Sequence, residues 1–126
     1  MLFKLIPIER IVKKNGFICK SYQDLPGNFM PREIYINTIV GSSQAHWRLH
    51  KRAQLSIQVI SGSASFLIAS DPTRSDISSI NLDDSSMMKL LIFPHSWFSF
   101  SSTSASKLML LCMSDILHDP SEIVAL

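Results

Sequence analysis

The chain has 126 residues, of which 46% are hydrophobic and 17% charged, with a formal net charge of +2. That is enough for one domain, residues 1–126, to bury a core without disulfides, and the composition excludes a disordered chain. The small positive balance lacks the dense Lys/Arg patch of a duplex binder, so no nucleic-acid partner is expected.

The opening segment, MLFKLIPIERIVKK, has no basic run ahead of its apolar residues and is interrupted by Pro7 and Glu9. It is therefore a poor secretory leader. Leu2–Val12 reads as an edge or entry strand broken by Pro7. Asn15-Gly16 is the dipeptide best suited to a two-residue hairpin turn, whose central residues must accept positive φ. Phe17–Tyr22 is then the return strand, Leu25-Pro26-Gly27-Asn28 a loop, Arg32–Val40 a β-branched strand and Gly41-Ser42-Ser43 a turn.

The next stretch, Gln44–Gln58, carries the densest chemistry. As one continuous strand it places successive side chains on opposite faces. His46, Arg48, His50, Arg52 and Gln54 fall on one face, and Trp47, Leu49, Lys51, Ala53, Leu55 and Ile57 on the other. A row of imidazoles and guanidiniums beside a mostly apolar row suits the anion-binding wall of a small β-barrel. It suits equally a solvated face whose charges discourage edge pairing.

The strand ends at Ser61-Gly62-Ser63, and Ala64–Ala69 continues as strand. Asp71–Asp76 is a polar loop, Ile77–Leu82 a short strand and Asp83-Asp84-Ser85-Ser86 a turn rather than a catalytic carboxylate pair. Met87–Phe93 is an apolar strand stopped by Pro94. Trp97–Ser101 alternates aromatic and serine within a serine-biased stretch, Ser96–Ser106, and Lys107–Met113 is a second buried strand. His95 and His118 fall in turn-like, solvent-facing contexts. Asp119-Pro120-Ser121-Glu122 supplies a cap, a first-turn proline and a glutamate three residues after the cap, predicting a short C-terminal helix.

Cys19 and Cys112 lie far apart without CxxC spacing, and read as reduced, buried thiols of a cytoplasmic protein. No apolar run reaches membrane-spanning length, so no membrane partner is expected. Many short strands with polar turns argue for an all-β sandwich or barrel.

Four segments in this order resemble the cupin superfamily, and within it the sugar 3,4-ketoisomerases that act on dTDP-4-keto-6-deoxyhexoses, relatives of the dTDP-4-dehydrorhamnose 3,5-epimerases. They are Arg32-Glu33-Ile34-Tyr35-Ile36, His46-Trp47-Arg48-Leu49-His50-Lys51, Ile57–Ser63, and Ile92-Phe93-Pro94-His95-Ser96-Trp97-Phe98, with Leu110–Ile123 following. The resemblance implies a cupin-type double-stranded β-helix, a jelly-roll barrel, assembled as a homodimer with exchanged strands. It implies a nucleotide sugar as ligand in polysaccharide or glycan synthesis, and it requires no cofactor.

The departures are as informative. Spacing back from Gly62 puts the second family histidine on His50 and the first on Arg48. Ala45-His46 replaces the family's Arg-Gly, and Phe98 stands where a histidine is usual. A first-row metal needs several imidazoles or carboxylates at one point. His46 and His50 are about 13 Å apart along a strand, so no metal site is expected.

An imidazole suits proton removal α to a carbonyl, which makes His50 the candidate base and Tyr35 a candidate acid or enolate ligand. Arg48 cannot act as a base but can stabilise an enolate or bind a diphosphate. Arg32, His46, Arg52 and Gln54 are further substrate-binding candidates, and Trp97 can stack on a base or sugar ring. The expectation is an isomerase through an enediol. The alternative is a non-catalytic cupin that binds a sugar nucleotide or another small anion.

Overall fold

A computed structural model describes residues 1–41, 44, 46–73, 76–105 and 107–126. Ser42 and Ser43 of the expected turn, Ala45 of the expected strand, Arg74 and Ser75 of the polar loop, and Ser106 lie outside the described residues.

In chain order the strands are β1 (Phe3–Pro7), β2 (Glu9–Lys13), β3 (Gly16–Lys20), β4 (Glu33–Ile39), β5 (Arg48–His50), β6 (Leu55–Ser61), β7 (Ser63–Ala69), β8 (Ser78–Asp83), β9 (Met88–Ile92), β10 (Trp97–Ser102), β11 (Leu108–Ser114) and β12 (Ile123–Ala125). Two five-stranded sheets face each other, one in the order β1-β9-β6-β11-β4 and the other β12-β5-β10-β7-β8, and their pairings are antiparallel. Together they form the all-β barrel expected from the strand pattern, of the cupin type that the resemblance implies.

Period-two alternation builds the core. Leu55, Ile57 and Val59 of β6, Leu90 and Ile92 of β9, and Leu108, Leu110 and Cys112 of β11 meet Phe66 and Ile68 of β7 and Phe98 and Phe100 of β10. Each fully buried leucine or phenylalanine contributes roughly 1.5–3 kcal/mol. A second cluster of Ile6, Phe29, Leu91 and Met113 lies on the outside of the first sheet. There Lys89, itself buried, donates to the carbonyls of Ser21 and Gln23 and ties the chain before β4 onto the sheet. That outer cover explains why β6 is buried on both faces.

Gly62 is where β6 in one sheet becomes β7 in the other. Its φ is +90°, and an added Cβ would meet Ser104 Oγ at 2.9 Å and the Lys107 carbonyl at 3.0 Å. Backbone freedom and close approach both require glycine there. The Asp83–Ser86 turn docks on this corner, with Gly62 N–H donating to Asp84 Oδ2 at 3.1 Å.

Four expectations are corrected. The strand over residues 44–58 is not continuous: the chain leaves the second sheet after His50 and joins the first at Leu55. The N–H groups of Arg52 and Ala53 donate to Glu122 and that of Gln54 to Asp115, so these residues satisfy their backbone outside a ladder. The C-terminal helix is only a 3-10 turn, Pro120–Glu122, capped by Asp119, whose side chain accepts from Ser121 N–H. It leads into β12, which pairs with β5. Cys112 is buried as expected, but Cys19 is only half-buried. The β2–β3 hairpin forms, but its two-residue tip is Lys14-Asn15 rather than Asn15-Gly16, and Gly16 opens β3 opposite Lys13.

Candidate active site

At one end of the barrel β4 of the first sheet faces β5 of the second, and residues 114–123 cross between the sheets. A cavity of about 330 Å³ opens there. Alternate residues Glu33, Tyr35 and Asn37 of β4 form one side, and Arg48 and His50 of β5 another. Leu55, Ser114, Ile116, Leu117, His118, Asp119, Glu122 and Ile123 complete the lining.

His50 is fixed on both sides. Its Nδ1 lies 2.8 Å from Glu122 Oε2. Its ring stacks on Phe98 with centroids 5.8 Å apart and planes 15° from parallel. Phe98 reaches it from β10, where it pairs with Arg48. With Nδ1 engaged, Nε2 is the nitrogen left for a substrate in the cavity.

Glu122 is only 3% exposed. Its Oε1 accepts from Ala53 N–H at 2.8 Å and Arg52 N–H at 3.2 Å. Burial pushes this carboxyl up, but the Ala53 and Arg52 amides and the His50 ring outweigh it and hold it below the usual carboxylate range. An ionised carboxylate accepts and cannot donate. It therefore keeps the neutral imidazole's proton on Nδ1 and leaves Nε2 basic.

Tyr35 pairs with Cys112 across β4 and β11. Loss of solvent around the phenol, then the neighbouring Cys112 thiol, push Tyr35 up to about 12, although Arg48 pulls the other way. Burial likewise pushes the Cys112 thiol up to about 11. Both groups stay protonated near neutrality, so the Tyr35 hydroxyl keeps a proton to donate.

The structure thus brings His50, Tyr35 and Arg48 together. Arg32 and Arg52 line a neighbouring cavity, and Arg52 Nη2 pairs with Asp119 Oδ2 at 2.9 Å. His46 lies in a separate cavity of about 280 Å³ with Gln44, Trp47 and Leu126. Gln54 is buried and bonds Asp115 through both its backbone N–H and its Nε2. Trp97 is half-buried, pairs with Leu49 across β10 and β5, and is not among the residues lining the His50 cavity. Phe98 fills space in the core and also stacks on His50.

Sequence reasoning missed Glu122, which it took only as a helix-capping glutamate. His118 is exposed as expected but also lines the cavity. Among the described residues, no helix is long and apolar enough to cross a membrane.

No family model matches the chain, and no curated protein matches its sequence. Solved structures do match. QdtA, a sugar 3,4-ketoisomerase from Thermoanaerobacterium thermosaccharolyticum in complex with TDP, is 21% identical with a TM-score of 0.82 over 97% of this chain and 86% of that one. A dTDP sugar isomerase from Desulfovibrio desulfuricans is 19% identical with a TM-score of 0.84 over 98% and 83%. A dTDP-4-dehydrorhamnose 3,5-epimerase from Bacillus anthracis, with TDP and PPi bound, is 14% identical with a TM-score of 0.83 over 98% and 78%. The resemblance read from the four sequence segments is borne out at the level of fold.

Proposed function

We propose that this protein is a nucleotide-sugar isomerase that moves the carbonyl of a dTDP-4-keto-6-deoxyhexose from C4 to C3 through an enediol, in polysaccharide or glycan synthesis. The observation that carries the reading is the His50–Glu122 pair, held at 2.8 Å and opening onto a cavity that also presents Tyr35 and Arg48. The fold shared with the ketoisomerases and epimerases supports the substrate class.

In this mechanism His50 Nε2 takes the C3 proton, and the C3–H electron pair forms the C3–C4 double bond as charge moves onto O4. Glu122 stabilises the imidazolium that results. Tyr35 donates to O4, and Arg48 stabilises the developing oxyanion. Tyr35 then recovers a proton from O3. The electron pair returns through C3 to C4, which takes the proton from His50. The net change moves one proton from C3 to C4 and one from O3 to O4.

The alternative, a non-catalytic sugar-nucleotide binder, draws support from Arg48. A permanent cation stands there at the position the resemblance gives to a histidine. Incubation with the 4-keto sugar nucleotide, followed by NMR, separates the two. Conversion to the 3-keto isomer supports the enzyme, and dTDP-sugar binding without conversion supports the binder.

The proposal includes a homodimer. The β2–β3 hairpin leaves Val12 72% and Phe17 57% exposed, and the edge strand β4 leaves Ile34 59% exposed. Apolar edges of this kind favour a protein partner. The unpaired thiols Cys19 and Cys112 suit a reducing compartment, and so a cytoplasmic setting.

A further inference from the structure

A second cavity of about 330 Å³ lies against the first, and the two share the wall Ile116, Leu117, His118 and Asp119. Arg32, Arg52 and Asp115 complete its lining. The formal charges of the two arginines and two aspartates cancel. The sign of this chamber is therefore set by the His118 imidazole.

The carboxylates here are already engaged. Asp119 Oδ2 accepts from Arg52 and Oδ1 from Ser121, and Asp115 holds Gln54. Among the described residues, the Arg32 guanidinium enters no ion pair. The shared wall is also pinned. His118 N–H donates to Glu33 Oε2 at 2.6 Å, and Ser114 Oγ both donates to the Ile116 carbonyl and accepts from its N–H.

We propose that His118 is a protonation-dependent anchor for the diphosphate of the nucleotide sugar, a role that rests on the reading of the protein as a nucleotide-sugar binder. With the keto-sugar against His50, the diphosphate crosses the shared wall. Arg32 and the charged imidazole then receive its oxygens as charge-assisted donors. The charged groups around His118 are Glu33 of β4, Asp115 and Asp119 of its own segment, Arg52 of the crossover and Arg32 before β4. Hydrogen bonds from Ser121, and after them the neighbouring Arg52 and His118, hold the Asp119 carboxyl below its usual range, so a carboxylate stands beside the imidazole. An imidazole changes charge between about pH 5 and pH 8, so affinity follows pH across that range.

The test is calorimetric binding of dTDP-glucose, whose diphosphate diester does not itself titrate there. Wild-type affinity should fall about tenfold as pH rises across this range. His118→Ala should bind weakly at the acid end and lose the slope, whereas His118→Arg should keep its affinity at the alkaline end. A His118→Ala variant with the wild-type slope, or a wild type that binds no dTDP-glucose, overturns the proposal. Because the readout is binding alone, His118-dependent affinity without turnover of the 4-keto sugar supports the anchor and defeats only the isomerase reading.

Discussion

His50 and Glu122 are 72 residues apart in sequence, yet their side chains meet at 2.8 Å. The contact exists because β12 pairs with β5, placing Ile123 opposite His50 and the preceding glutamate beside the imidazole. The same carboxylate takes the N–H groups of Arg52 and Ala53, so one buried group ends β5 and orients the His50 imidazole.

Glu122→Gln tests the orienting role. The amide can still accept from Ala53, but its NH₂ then faces His50 Nδ1 and drives the ring proton to Nε2. Isomerase turnover should fall at least about 100-fold, with KM for the keto-sugar nearly unchanged. Steady-state kinetics, with thermal unfolding as a folding control, check this.

The same carboxyl makes stability depend on pH. Its folded-state value lies below the ordinary 4.5, so between the two values the unfolded chain binds more protons than the native one. The stabilisation is fully present above about pH 4.5 and is lost as pH falls through the folded value. Urea unfolding across this acid window should show wild-type stability dropping more steeply than that of Glu122→Gln; equal slopes contradict the assignment.

Phe98→Ala removes a 3% exposed ring that belongs to the core and stacks on His50. The expected cost is about 3–5 kcal/mol in chemical denaturation. Turnover should fall further than the loss of folded protein accounts for, because the imidazole loses one of its two supports.

The exposed hairpin and edge strand predict the assembly's weak point. Phe17→Glu or Ile34→Glu places a charge on an apolar surface, 57% and 59% exposed respectively, that the proposed second copy covers. Sedimentation velocity should show a wild-type dimer and a shift to monomer in either variant. A monomeric wild type removes the proposed interface.

Much of the fold was legible because most strands are short, alternating and bounded by Gly, Pro, Asp or Ser. Arg32–Val40, Met87–Phe93 and Lys107–Met113 differ from β4, β9 and β11 by about a residue at each end, as fraying ends do. The break after His50 was not legible. Alternation continues through Lys51–Gln54, and what ends the strand is a pair of carboxylates, Glu122 and Asp115, from the far end of the chain.

The same distance hid one member of the candidate site. His50, Tyr35 and Arg48 stood out by residue type and by their place in the segments that carry the resemblance. Glu122 looked like a local cap, because Asp119-Pro120 does open a turn. Its long-range role depends on β12, a three-residue strand too short to announce itself by period.

The central claim is that His50, held by Glu122, removes a proton α to the sugar carbonyl. The direct measurement is solvent deuterium incorporation at C3 and C4 of a dTDP-4-keto-6-deoxyhexose, followed by NMR in wild type and His50→Gln. Enzyme-dependent deuterium entry in wild type, with dTDP-sugar affinity kept but exchange lost in His50→Gln, is the predicted result. Exchange that persists in His50→Gln, or its absence from a wild type that binds the sugar nucleotide, would contradict it.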